Sequence, residues 1–176
     1  MSTPIIAAVV GTSNISKQDL LAEFVQRRRR QGLRVAGIIE IAAGAASGAC
    51  GSLSVVDLAT GERIAITQNL GSASTACNLD PAGLAEACAA AQRAIEAGAD
   101  LVVLSKFGKL EAGRGGLCGA FASAIDAELP IVTTVNPVMR EDWTRFAGDL
   151  ADDVVADAEA LESWWNGLAG RHCGGA

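Results

Sequence analysis

Two kinds of hydrophobic pattern follow one another along this chain. Short, continuous apolar runs indicate strands that are buried on both faces of a parallel sheet. Longer segments with apolar residues at helical spacing indicate helices that pack on such a sheet. The runs predict strands at residues 4–10, 34–41, 99–105 and 130–135. The helical spacing predicts helices at 17–31, at 82–97 and from Leu117 to Ile125, with two more in the final third.

Between the second strand and the second helix the pattern changes. Two strand-like segments, 51–59 and 62–68, flank the turn residues Thr60 and Gly61 and predict an antiparallel hairpin. Asp80 and Pro81 then predict a helix start, with Asp as N-cap and Pro in the first turn.

The order of these elements predicts one three-layer α/β domain over residues 1–170. Its sheet is mainly parallel and is extended by the antiparallel hairpin. Polar, glycine-rich segments at 42–51, 69–83 and 106–116 are predicted loops, and 171–176 is a predicted flexible tail.

The composition and charge of the chain argue against several classes of function. Half of the 176 residues are hydrophobic, which fits a single packed core. The net charge of −6 argues against nucleic-acid binding. No apolar run approaches the ~20 residues of a membrane-spanning helix, and the first residues lack the basic start of a signal peptide. We therefore expect a cytoplasmic protein that does not insert into a membrane.

The thiols and the histidine predict no metal site and no disulfide framework. Five cysteines are scattered without a C-x-x-C pair, and in the cytoplasm we expect reduced thiols. Cys77 lies in a Ser-rich loop far in sequence from any histidine, so packing is favoured over reactivity. His172 beside Cys173 is interpreted as part of a frayed terminus.

The first loop beyond a predicted strand has the makeup of an anion site. Ligands in open α/β sheets bind beyond the carboxyl ends of the parallel strands, and a helix start favours an anion. The loop supplies hydroxyls, backbone amides and one ammonium, from Gly11, Thr12, Ser13, Asn14, Ser16 and Lys17. An alternative interpretation is a plain capped helix, with Ser16 as N-cap and Asp19 at the third helical position.

Two further loops add to this prediction. The segment 105–116 carries Lys106, Lys109 and Arg114 among glycines, which suits a multiply charged anion without a metal. Glu111 is its one acid and is the candidate catalytic base, or else a partner of Arg114. A solvated surface loop is the alternative. The third loop contributes neutral hydroxyl donors, from Ser72, Ser74 and Thr75.

With these loops placed, the sequence resembles a bacterial family of unknown function. The similarity runs from about residue 4 to about residue 150. The most specific segment is Lys-Phe-Gly-Lys-Leu-Glu at 106–111 followed by Gly-Arg-Gly at 113–115, and the second is the hairpin with its D-L-x-T-G pattern. Members are often labelled as related to molybdenum transport, so the resemblance implies a molybdate-linked role.

The family in turn resembles small P-loop nucleoside triphosphatases, which implies a P-loop-like fold. Gly108-Lys109-Leu110-Glu111 matches a motif that follows their Walker-B acids. The Walker-A glycine and hydroxyl residue are replaced by Ser16 and Gln18, and the Walker-B acids by Ser105 and Lys106. Both replacements remove positions that hold Mg²⁺ in nucleoside triphosphatases.

These observations favour a non-hydrolytic oxyanion-binding protein, with molybdate or a related tetrahedral oxyanion as ligand and no resident cofactor. A nucleoside triphosphatase with altered Walker motifs, using Lys17 and Glu111, is the first alternative. A catalytically silent interaction subunit is the second. The oligomeric state is left open, although Trp164 and Trp165 near the end of an Ala- and Gly-rich chain are candidates for a dimer surface.

Overall fold

The structure is a computed structural model and describes residues 5–11, 16–41, 53–68 and 78–172. Within these ranges the chain forms a mixed sheet with helices on both faces. The strands are β1 (Ile6–Val10), β2 (Val35–Ile41), β3 (Ser54–Asp57), β4 (Arg63–Ala65), β5 (Thr67–Gln68), β6 (Asn78–Leu79), β7 (Leu101–Phe107), β8 (Ile131–Val135) and β9 (Ala151–Val155). The α-helices are α1 (Lys17–Arg30), α2 (Pro81–Glu96), α3 (Lys109–Ala112), α4 (Cys118–Asp126), α5 (Arg140–Ala147) and α6 (Ala158–His172).

The main sheet has the strand order β4-β3-β2-β7-β8-β1-β9. The five strands from β2 to β9 in this order are parallel, and β3 and β4 extend the sheet as an antiparallel hairpin. The predicted three-layer α/β architecture and the hairpin are thus confirmed. A second, two-stranded sheet joins β5 to β6.

Strand β1 lies between β8 and β9 near one side of the sheet, and its apolar run is buried on both faces. Residues Ile6, Ala7, Ala8 and Val9 are fully buried. On one face of the sheet, α1 and α6 close one apolar cluster. On the other face, α2, α4 and α5 close a second cluster that contains a group of aromatic rings. Burial on both faces is what the uninterrupted apolar run of residues 4–10 predicts.

The structure differs from the sequence prediction in the second half of the chain. Strand β7 continues to Phe107, and the predicted loop at 106–116 contains the short helix α3. The final third holds a strand, β9, as well as its helices. Helix α6 continues to His172, into the tail predicted from residue 171. Strand β9 is an edge strand with an Asp-Asp pair, so it lacks the apolar run that marks the inner strands.

Helices α1 and α6 are joined by a buried arginine. Arg28 is 1% exposed, its Nη2 donates to both oxygens of the Glu162 carboxylate, and its guanidinium carbon lies 4.5 Å from the ring centre of Phe24. The ring of Trp165 lies on the same group at 5.2 Å. Trp164 is buried in the core. Both tryptophans therefore connect α6 to the body of the domain.

We predict that Arg28→Ala lowers the free energy of unfolding by about 3 kcal/mol, because it leaves Glu162 without its buried partner and removes the stacking on two rings. Urea unfolding of the variant measures the loss. The matched control is Arg27→Ala, since Arg27 also binds Glu162, at 3.0 Å, but is 45% exposed. That change is expected to cost less than about 1 kcal/mol. Equal losses would contradict the role assigned to burial.

Candidate anion site

The start of α1 is held in place at the carboxyl edge of the sheet. Gly11, directly after β1, has φ +94°, a conformation that glycine adopts without strain. Ser16 is the N-cap of α1: its Oγ accepts from the Asp19 N–H at 3.1 Å and donates to Asp19 Oδ2 at 2.5 Å. The predicted helix cap formed by Ser16 and Asp19 is confirmed. The cap fixes the first turn of α1, from which the Lys17 side chain extends.

Lys17 is the first residue of α1 and reaches the end of the neighbouring strand β8. Its half-buried ammonium donates to the Val135 carbonyl at 3.3 Å. An ammonium has three N–H donors, so this contact orients the group and leaves it able to bind a ligand. The structure therefore places one cation at the carboxyl edge, beside the N-terminus of a helix, where an anion is favoured.

The next residue, Gln18, is bonded to the end of β7. The Ser105 hydroxyl donates to the Gln18 Oε1 at 2.7 Å. The same hydroxyl accepts from the backbone N–H of Glu40, at 3.4 Å, so it also connects β7 to β2. Ser105 is only 4% exposed. This hydrogen bond joins Gln18 and Ser105. By the sequence resemblance, these are two positions at which metal-binding residues of P-loop nucleoside triphosphatases are replaced.

The residues here do not fit Mg²⁺. The ion takes oxygen ligands in a near-octahedral array and usually needs one or two carboxylates beside the substrate phosphates. The two oxygens in question are a neutral amide and a neutral hydroxyl, and each is already bonded to the other. Among the described residues, moreover, no group of three or more His, Cys, Asp or Glu side chains could hold a metal ion.

Lys106 follows Ser105 and carries a second cation to the same strand end. Its ammonium is 3.4 Å from Glu40 Oε2, on the neighbouring strand β2. The side chain of Lys106 is 56% exposed and that of Glu40 is 17% exposed. Glu40 therefore holds the Lys106 ammonium on the β2 side of β7, with the lysine side chain still open to solvent.

Glu111 fastens the loop that follows β7. One carboxylate oxygen accepts from the Gly108 N–H and the other from the Leu117 N–H, each at 3.0 Å, and the side chain is buried. Gly116 has φ +55°, and a Cβ there would lie 2.1 Å from Glu111 Oε1. The carboxylate thus closes a compact loop over residues 108–117, and a role as catalytic base stays a prediction.

The neighbouring thiol supports the same loop. Cys118 Sγ donates to the Glu111 backbone carbonyl at 3.2 Å. Burial raises the pKa of the Cys118 thiol, and the nearby Glu111 carboxylate acts in the same direction. The thiol consequently stays protonated and keeps this donor, which fits a structural cysteine better than a nucleophile.

The other predicted site residues fall into two groups. Lys109 and Arg114 are exposed on the loop that Glu111 closes, and in the described part of the chain no hydrogen bond or ion pair joins either to Lys17. Six more lie outside the described residues: Thr12, Ser13, Asn14, Ser72, Ser74 and Thr75. The structure thus places Lys17 at the start of α1 and Lys106 near the end of β7, two elements that the Gln18–Ser105 hydrogen bond joins at one edge of the sheet.

Sequence reasoning missed two partners in this region. Glu40 was not predicted as the counter-ion of Lys106, although an acid near the end of an apolar strand is a usable signal. The Val135 carbonyl could not be predicted, because every residue carries one and only the pairing of β8 with β1 places it near Lys17.

The fold and these motifs can be compared with known proteins. Residues 6–164 match the family described as "Protein of unknown function (DUF2478)". The chain belongs to the DUF2478 family. This confirms the resemblance to a bacterial family of unknown function and extends it to α6.

Two known proteins resemble this DUF2478 chain. The protein named "Molybdenum import ATP-binding protein ModC 2" from Bradyrhizobium diazoefficiens is 37% identical over 166 residues. That match spans 94% of this chain but only 18% of the relative. The crystal structure of THEP1 from Aquifex aeolicus has a TM-score of 0.59 and 13% identity, covering 95% of this chain and 96% of that one. The fold is therefore P-loop NTPase-like.

We predict that Glu111→Ala speeds hydrogen exchange at the Gly108 and Leu117 amides about tenfold or more, because each loses a charged acceptor. Exchange followed by NMR measures this directly. The control is Asp126→Ala, which removes an exposed carboxylate from the end of α4. It is expected to leave both amides unchanged. Unaltered exchange in Glu111→Ala would show that the carboxylate does not hold the loop.

Proposed function

We propose that this protein binds a tetrahedral oxyanion, molybdate or a close relative, at the carboxyl edge of its sheet, and does not hydrolyse nucleotides. The observation that carries the proposal is the positive charge beside the Gln18–Ser105 hydrogen bond, which joins α1 to β7. Lys17 lies at the helix start, and Lys106 occupies a position where a hydrolytic relative would have an acid. The proposed site is thus built from cations and amides.

Such a site suits an oxyanion on physical grounds. Ammonium groups and backbone N–H groups are the donors that proteins use for ionised oxygens, and a helix N-terminus adds a favourable field. Hydrolysis asks for more, since a nucleoside triphosphatase also positions a metal and an attacking water. The predicted donors Gly11, Ser16, Lys109 and Arg114 belong to the same proposal, as do the six that the structure does not describe.

The molybdenum part of the proposal comes from the relative. Its name states molybdenum import and ATP binding, and both describe a protein of which the segment matched by this chain is only 18%. We transfer only the molybdenum link, because the P-loop-like start of this chain keeps its lysine and lacks the hydroxyl that follows it. A role in molybdenum homeostasis in the cytoplasm follows.

A nucleoside triphosphatase is the second candidate, favoured by the P-loop-like fold and by Lys17. Release of phosphate from ATP or GTP with Mg²⁺ tests it. Turnover that is lost in Lys17→Met would support this candidate and overturn the first. The third candidate is an interaction subunit, for which we expect neither turnover nor anion binding.

We predict that calorimetry with molybdate, tungstate, sulfate and phosphate detects binding of at least one of them. Lys17→Met is expected to weaken that binding about tenfold or more, because it removes a charge-assisted hydrogen bond.

The matched control for this experiment is Arg63→Met, which removes one positive charge from β4, an edge strand at the opposite side of the sheet. Its affinity is expected to equal that of the wild type. No heat with any of the four anions would rule the proposal out, and an equal loss in both variants would indicate a general charge effect.

A further inference from the structure

We infer that the Gln18–Ser105 pair does not hold a metal ion, because both of its oxygens are neutral, and that Lys106 supplies the positive charge a metal would otherwise bring. The ligand is then a free oxyanion, and a metal-nucleotide complex is excluded. This inference rests on the proposed function for its ligand. Its metal-binding half can be tested independently.

The first step is the state of the two oxygens. In a Mg-nucleotide site the hydroxyl residue after the P-loop lysine and the Walker-B acid both give oxygen ligands to the ion; the corresponding positions here are Gln18 and Ser105. Here the Ser105 hydroxyl donates its proton to the Gln18 Oε1 at 2.7 Å and accepts from the Glu40 N–H at 3.4 Å. Both oxygens are neutral, so neither supplies the carboxylate that Mg²⁺ usually needs.

The second step is the position of the cation. Lys106 directly follows Ser105, so its charge enters the site on the same strand end that would carry the metal-binding acid. An ammonium at this point repels a divalent ion and attracts an anion.

The third step is the release of Lys106 to a ligand. Its pairing distance to Glu40 is 3.4 Å, and its side chain is more than half exposed. An incoming oxyanion can therefore reach the Lys106 ammonium from solvent. Glu40 then acts as a stand-in anion that keeps the lysine in position while the site is empty.

The experiment compares wild-type protein with the double variant Gln18→Thr/Ser105→Asp, which offers a hydroxyl and a carboxylate where the hydrogen bond stood. Binding of Mn²⁺ is followed by electron paramagnetic resonance without any anion. Binding of molybdate and phosphate is measured by calorimetry with Mg²⁺ and with EDTA. Gln18→Ala/Ser105→Ala is the matched control, because it breaks the bond without adding a carboxylate.

We expect the double Thr/Asp change alone to raise Mn²⁺ affinity, by about tenfold or more relative to wild type and to the Ala/Ala control. Oxyanion affinity of the wild type is expected to be the same with Mg²⁺ and with EDTA. Lys106→Met is expected to lower it about tenfold, while Arg63→Met leaves it unchanged. Circular dichroism and thermal unfolding verify that each variant is folded.

Two results would overturn the inference. One is Mn²⁺ binding by the wild type that is lost in the Ala/Ala control, since the two oxygens would then be ligands. The other is oxyanion binding that strengthens with Mg²⁺. Absence of any oxyanion binding overturns the proposed function instead, and the Mn²⁺ comparison still decides whether the Gln18–Ser105 pair holds a metal.

Discussion

The carboxyl edge of this protein depends on one partly buried hydrogen bond, from the Ser105 hydroxyl to the Gln18 amide oxygen. It connects the first turn of α1 to the end of β7, across the position of β8. Lys17 and Lys106 are the sequence neighbours of Gln18 and Ser105. The bond therefore helps to fix the backbone from which both lysine side chains extend. Burial of Ser105 strengthens it, because a polar pair shielded from water interacts in a lower dielectric.

The electrostatic balance at this edge differs from that of the whole molecule. The chain carries a net charge of −6, yet the acids described at this edge are already committed. Glu40 faces Lys106, and Glu111 accepts two backbone N–H groups. The Lys17 ammonium, in contrast, is bonded to a neutral carbonyl, which leaves its charge available to the proposed anion.

The hydrophobic periodicity of the sequence predicts most of the fold but few of the contacts in the candidate site. The buried runs at β1, β2, β7 and β8 are long and apolar, so burial alone identifies them. Strand β9 has two aspartates and lies at an edge, so its strand character depends on pairing with β1. The lysines could be picked out by residue type and position. The Lys17 contact to Val135, and the pairing of Gln18 with Ser105, arise only when distant segments become neighbours in the sheet.

Helix α1 is anchored at both ends, and this has a consequence for how a ligand is received. Ser16, Gln18 and Lys17 fix its first turn, and Arg28 in its last turn is locked between Phe24, Trp165 and Glu162. A helix held at both ends is expected to stay in place when the proposed oxyanion binds. The start of α1 is therefore a preorganised part of the proposed site, and little of the interaction energy would go into rearranging this helix.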